Sequence, residues 1–216
     1  MVDQKTLKIT EVFYSLQGET NTVGLPTVFV RLTGCPLRCG YCDTAYAFSG
    51  GQTMSLSEII ARVTNFQSRC VTVTGGEPLA QPAVMDLMRE LCDLGYHVSL
   101  ETSGALDVQG VDRRVHKVVD VKTPSSGESH RHLNTNMAHL LPHDQVKYVI
   151  GDRADYQWAK DHMSTWDVAA RCEVLFSPVQ GQLVPADLAD WVLLDQLQVR
   201  FQLQLHKVLW GDVPGK

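Results

Sequence analysis

No stretch of this 216-residue chain approaches the run of roughly 18 apolar residues that a membrane helix requires. The N-terminal stretch MVDQKTLKITEVF lacks the uninterrupted apolar core of a signal peptide. An excess of positive charge is missing too. Lys and Arg total 19 against 24 Asp and Glu, and the net charge of −5 offers no general attraction to nucleic acid or to an anionic membrane. Internal repeats, low-complexity tracts and clear linkers are also lacking, so one domain over residues 1–216 is expected. These absences leave a cytoplasmic globular protein whose 44% hydrophobic and 20% charged residues can build an ordinary core. A chain of this size without an export signal more often keeps its cysteines as ligands or buried thiols than as disulfides.

Short β-rich runs alternate with helical ones. Strands are expected at 8–16, 27–34, 70–78, 96–104, 116–122, 144–151, 172–179 and 199–209. Helices are expected at 55–66, 81–95, 154–164 and 185–197, the first capped by Ser55 with Glu58 three residues on and the second stopped by Gly95. Such alternation implies an α/β fold with a parallel sheet and helical crossovers. A closed eight-unit barrel needs about 250 residues, so about six units predict a partial, open β/α barrel. Several strands end in chemically loaded tips: TGC, TGGEP, ETSG, DVKTP and FSPV. Active sites of parallel α/β proteins lie at the C-terminal ends of the strands, so these tips should converge.

Cys35, Cys39 and Cys42 are spaced C-x3-C-x2-C with no fourth cysteine nearby. A structural zinc site or a cubane iron–sulfur cluster usually takes four protein ligands. Three thiolates leave a corner where a small molecule can bind. The spacing alone also permits a zinc loop completed by a distant His or Cys. Cys70, Cys92 and Cys172 lie in apolar strands or within a helix and read as buried hydrophobes. Four histidines between 130 and 143 read as a solvated loop, since no carboxylate or cysteine frames them. Arg31 sits mid-strand in an apolar run, where a buried guanidinium needs an anion.

The cysteine motif, with Tyr41 before its last cysteine, resembles the signature of radical S-adenosylmethionine enzymes, and TGGEP at 74–78 resembles that superfamily's second motif. With FYSLQGET (13–20), ETSG (101–104) and LHK (205–207), the chain resembles the 7-carboxy-7-deazaguanine synthase family from about residue 8 to 207, densely before residue 105. The resemblance implies a lyase that contracts 6-carboxy-5,6,7,8-tetrahydropterin to 7-carboxy-7-deazaguanine with loss of ammonia, in queuosine and other 7-deazapurine biosynthesis. It implies a [4Fe-4S] cluster on Cys35, Cys39 and Cys42, S-adenosyl-L-methionine on its open iron, and Mg2+ held by Thr44. It further implies an external electron donor such as a flavodoxin, and a homodimer.

The family places Leu16, Gln17, Gly18, Glu19, Arg31, Thr74 and His206 against the pterin, with Arg31 on its carboxylate and Glu19 and His206 beside the chemistry. Candidates for S-adenosylmethionine are Tyr41, Cys42, Asp43, Gly76, Glu77, Glu101, Lys122, Thr123, Pro124, Ser177, Pro178, Val179 and Gln180. Blander roles exist: 16–19 as a capped turn, Thr44 as a helix cap, Arg31 in an internal salt bridge, His206 as a structural histidine. Three departures stand out. Thr20 replaces a common Gly, Leu205 replaces a Thr, and the tail WGDVPGK is unusual. Two other readings remain: an activase that installs glycyl radicals on a partner protein, and a non-catalytic zinc or iron–sulfur module.

Overall fold

Residues 5–216 are described by a computed structural model. Alternation within each strand decides which side of the sheet it faces. In β2 (Pro26–Leu32), Val28, Val30 and Leu32 join one apolar cluster while Phe29 and Arg31 point the other way. The pattern repeats in β4 (Cys70–Gly75), where Val71 and Val73 alternate with Thr72 and Thr74, and in β5 (His97–Thr102), where Val98 and Leu100 alternate with Ser99 and Glu101. In β6 (His116–Val121) and β7 (Gln145–Ile150), Val119, Val121, Val146, Tyr148 and Ile150 enter a second cluster, leaving Asp120 and Lys147 on the opposite face. One face of the sheet is apolar and helix-covered; the other carries the polar residues.

β1 (Thr6–Leu16), β3 (Gln52–Ser55), β8 (Glu173–Pro178) and β9 (Arg200–Phe201) complete a nine-stranded sheet of order β3-β1-β2-β4-β5-β6-β7-β8-β9. From β2 to β9 every pairing is parallel; β1 pairs antiparallel with both β2 and β3. The open, mostly parallel sheet is the expected architecture, with an antiparallel edge added. Four helices pack on the apolar face: α1 (Leu56–Thr64), α2 (Val84–Asp93), α3 (Arg153–Thr165) and α4 (Pro185–Leu194). Ser55 and Glu58 form the expected capping box on α1. Val84, Leu87, Met88 and Leu91 recur at helical spacing and bury one face of α2.

Three expectations are corrected. The span 199–209 is not one strand: β9 covers two residues, and α5 (Leu205–Trp210) follows. Alternation in VRFQLQL mimics a strand, but its buried Gln202 instead bonds the backbone of Thr20 through both amide ends. The crossovers from β5 to β6 and from β6 to β7 contain no α-helix; the second uses short 3-10 turns. The histidine-rich segment is not simply solvated either. His132 packs edge-on against His162, 5.4 Å between ring centres, and neither ring nitrogen has a partner. All six cysteines are free thiols.

His162 in α3 is buried, hydrogen-bonded to Tyr148 and Asn134, and burial lowers its pKa to about 4. Burial lowers His132 to about 4 as well. The unfolded chain protonates these rings near pH 6.5, whereas the fold resists until about pH 4. Their contribution is therefore complete above pH 6.5 and is lost as pH falls toward 4. His162→Gln should flatten the acid limb of stability, removing roughly 3 kcal/mol of the difference between pH 7 and 4. Urea midpoints of both proteins across that range check this; parallel acid limbs would contradict it.

Candidate active site

At the C-terminal ends of the parallel strands, on the polar face, lies a cavity of about 650 Å³. Cys35, Thr74–Gly76, Glu101–Ser103, Asp120, Lys122 and Val179 border it, so the loaded tips do converge.

Cys35, Cys39 and Cys42 all line the cavity, and Cys70, Cys92 and Cys172 do not. The loop carrying them is fixed from several sides. Arg38 donates to the carbonyls of Cys35 (2.8 Å) and Leu37 (2.6 Å) and lies over the Phe48 ring. The Gly40 N–H bonds Ser126 O at 3.0 Å and the Arg38 N–H bonds Glu128 at 2.7 Å, tying this loop to the one after β6. The GGEP tip closes on it from β4. Gly76 N bonds Leu32 O, Glu77 N bonds Gly34 O, and a Cβ on Gly76 would stand 2.2 Å from Gly34 O and 2.8 Å from the Cys35 Cβ. Only glycine fits there. Burial pushes the Cys39 thiol up to about 11, so a metal must displace its proton.

No three His, Cys, Asp or Glu side chains among the described residues converge as ligands of one metal ion would. A cluster is larger, and each thiolate takes its own iron. Three cavity-lining thiols without a fourth therefore fit a cluster with one open corner and do not fit a closed zinc site. Beside them are atoms for a further ligand. The Tyr41 hydroxyl and Asp120 Oδ1 are buried without partners, and Lys122 pairs with Asp120 Oδ2 at 2.9 Å. Burial pushes the Tyr41 hydroxyl up to about 12, keeping it a donor at neutral pH.

On the β1–β2 side the wall is flat and aromatic. Phe13 and Phe29 stack with centroids 4.9 Å apart. Arg31 Nε bonds Glu11 at 2.7 Å, so the internal salt bridge exists. The guanidinium also lies 5.7 Å from the Phe13 ring centre and 5.8 Å from that of Tyr46, whose hydroxyl bonds Glu11. Its two terminal NH2 groups have no partner among the described residues. The arginine is thus held by its neck with its fork free in the cavity.

Leu16, Gln17, Gly18, Glu19, Thr74 and His206 all line the same space. Gln17 is 2% exposed and its amide is committed to Thr72, Glu101 and the Glu19 N–H. Its side chain fixes the turn through Glu19 and ties it to β4 and β5 while bordering the cavity. Glu19 accepts from Lys147 (2.5 Å) and Gln204 (2.8 Å), with lone pairs to spare. Glu101 accepts from Gln17 and Thr74, and burial raises its proton affinity. His206 sits on α5 rather than beside a strand end. A Cβ on Gly18 would stand 2.3 Å from its Nδ1, so Gly18 is what admits the imidazole. Thr20 adopts φ 71°, the left-handed backbone for which the commoner glycine is suited.

Thr44 borders the cavity with its hydroxyl 3.8 Å from Cys42 Sγ; it opens the 3-10 turn Ala45–Phe48, but its side chain makes no capping bond there. Tyr41, Asp43, Gly76, Lys122, Val179 and Gln180 border it too. Glu77, Thr123, Pro124, Ser177 and Pro178 do not. Glu77 is fully buried and bonds Thr102 and Ser103; the Thr123 hydroxyl is spent on Val149 O. Both hold the tips from behind. Sequence reasoning named the DVKTP tip and the unusual tail without assigning Asp120 or residues 211–216 to the site, and it missed Lys147, Gln204 and Tyr46; all of these line the cavity.

A model of the Radical SAM superfamily matches residues 29–127. A 7-carboxy-7-deazaguanine synthase of Chlorobaculum tepidum is 46% identical over 98% of this chain and 97% of its own length. That of Koribacter versatilis is 43% identical over 94% and 97%. The crystal structure of QueE from Escherichia coli covers 93% of this chain and 95% of its own, with a TM-score of 0.79 at 21% identity, a likeness of fold. No described helix is long and apolar enough to cross a membrane. Three free thiols about one cavity, the glycine tip packed against them and these relatives place the chain in the 7-carboxy-7-deazaguanine synthase family of radical S-adenosylmethionine enzymes.

Proposed function

We propose that this chain converts 6-carboxy-5,6,7,8-tetrahydropterin to 7-carboxy-7-deazaguanine, releasing ammonia. The observation that carries the reading is Arg31: a cation with a free fork, beside a stacked aromatic wall, in the same cavity as three thiols. A flat ring bearing a carboxylate matches that wall and that fork. When bound and reduced by an external donor, the cluster and S-adenosylmethionine supply the radical chemistry that no side chain can supply.

The chain's own groups bind and orient. Arg31 takes the pterin carboxylate through its terminal nitrogens. Glu19, fixed by Lys147 and Gln204, accepts from the ring's amino and N–H groups. His206, facing Gly18, closes the other edge; burial lowers its pKa, so it stays neutral at pH 7 and can accept as well as donate. Tyr41, Asp120 and Lys122 offer polar atoms to the cofactor, and Cys35, Cys39 and Cys42 hold the cluster. Thr44 gives one hard oxygen for Mg2+, whose remaining ligands would be water and the substrate carboxylate.

The test is anaerobic incubation of reconstituted protein with S-adenosylmethionine, reductant, Mg2+ and the pterin, followed by mass detection of the deazaguanine acid. Product formation without any protein substrate also sets aside a glycyl-radical activase. Arg31→Ala should weaken pterin binding about 30-fold, with a smaller loss of kcat, because a charge-assisted pair is worth roughly 2 kcal/mol. Glu11→Gln, which loosens only the neck of the arginine, should cost less. Equal losses in the two variants would contradict a direct role for Arg31.

A further inference from the structure

We propose that Lys147 is a positioning residue that keeps Glu19 ionised and aimed at the pterin, and so joins the substrate half of the cavity to its cofactor half. This rests on the pterin reading above. Lys147 lies in the middle of β7, directly opposite Asp120 of β6 in the parallel register. Its ammonium stands 2.5 Å from Glu19 Oε2 and 3.4 Å from Asp120 Oδ2, and its side chain is 12% exposed. Glu101 adds a third nearby carboxylate.

The other charges around Glu19 are already committed or of the wrong sign. Arg31 of β2 is held through its Nε by Glu11, and its free fork is the one placed against the substrate carboxylate rather than against Glu19. Lys122 lies against Asp120, and Lys207 of α5 lies 3.6 Å from Asp43. His206 of α5 is held toward its neutral form by burial. Glu101 of β5, Asp120 of β6 and Asp43 of the cysteine loop are acidic. Among the described residues, Lys147 is the cation that touches Glu19. The surrounding carboxylates hold Lys147 itself well above the ordinary lysine range, so its charge does not vary near neutral pH.

Without that ammonium, Glu19 would face the buried Glu101 carboxylate, with Gln204 as its remaining side-chain donor among the described residues. Like charges in a desolvated site raise carboxyl proton affinity. A protonated Glu19 presents a donor where the pterin edge needs an acceptor. Lys147→Met should therefore bind the pterin more weakly at low pH and recover as pH rises, whereas the parent protein should bind evenly.

The experiment is equilibrium dialysis of 6-carboxytetrahydropterin against anaerobically reconstituted protein between pH 6 and 8.5. Parent Kd should stay within about twofold across the range. Lys147→Met should be about 30-fold weaker at pH 6 and within about threefold of the parent at pH 8.5. Lys147→Arg should restore a flat profile. Glu19→Gln should bind weakly at every pH, and adding Lys147→Met to it should cost little more. Lys147→Gln serves as a second charge-removing variant if Lys147→Met does not fold. A charge-removing variant whose loss is the same at every pH, or absent, overturns the role of Lys147. A parent protein that fails to bind the pterin overturns the reading of the site itself.

Discussion

Cys39→Ala should reduce turnover to the background of the uncatalysed reaction while leaving the fold intact. The three thiols reach one cavity, and Cys70, Cys92 and Cys172 stand outside it, so no spare cysteine can take the vacated corner. The chemistry belongs to the cofactor, and losing its anchor removes the whole rate enhancement rather than a fraction. The structural cost is small. Cys39 is half-buried in a loop held independently by Arg38, Ser126 and Glu128, so deleting its sulfur should cost about 1 kcal/mol. Iron content, S-adenosylmethionine cleavage and a thermal melt check the three parts. A variant that keeps iron and turnover would contradict the assignment.

The largest loss of stability should come from Glu77→Ala. Glu77 is completely buried beneath the tips of β4 and β5. Its carboxylate accepts from the Leu79 N–H (3.0 Å), the Ser103 N–H (2.7 Å), the Ser103 hydroxyl (2.5 Å) and the Thr102 hydroxyl (2.8 Å). Alanine strands two backbone donors and two hydroxyls in a site that excludes water. Each orphaned group costs about 1–3 kcal/mol, and a total of about 4 kcal/mol is expected after relaxation. For a chain of this length that lowers Tm by roughly 10 °C. Glu77→Gln keeps one acceptor oxygen and should lose about half as much. A melt unchanged by Glu77→Ala would show that these bonds do not support the tips.

The same alternation that builds the sheet made part of the site readable. Arg31, Thr74 and Glu101 each break an apolar run at a position where side chains turn away from the helices. Asp120 in VVDV and Lys147 in VKYVI carry that signal equally, but no family motif drew attention to them, and their pairing across β6 and β7 is a matter of register. Glu77 belongs to a recognised motif, yet which face a tip residue takes depends on the turn beyond it. Its role as a buried bracket required the partners from β5. At the C-terminal end, alternating apolar residues around Gln202 and Gln204 imitated a strand. Both glutamines are used by Thr20 and Glu19, some 182 and 185 residues earlier, and contacts that distant leave no local mark.

The most direct test is electron paramagnetic resonance of the anaerobically reconstituted, reduced protein with and without S-adenosylmethionine. About four irons per chain and a signal that shifts on adding the sulfonium nucleoside are predicted, because one iron has no protein ligand. Stoichiometric zinc in place of iron, or a cluster signal indifferent to S-adenosylmethionine, would contradict it.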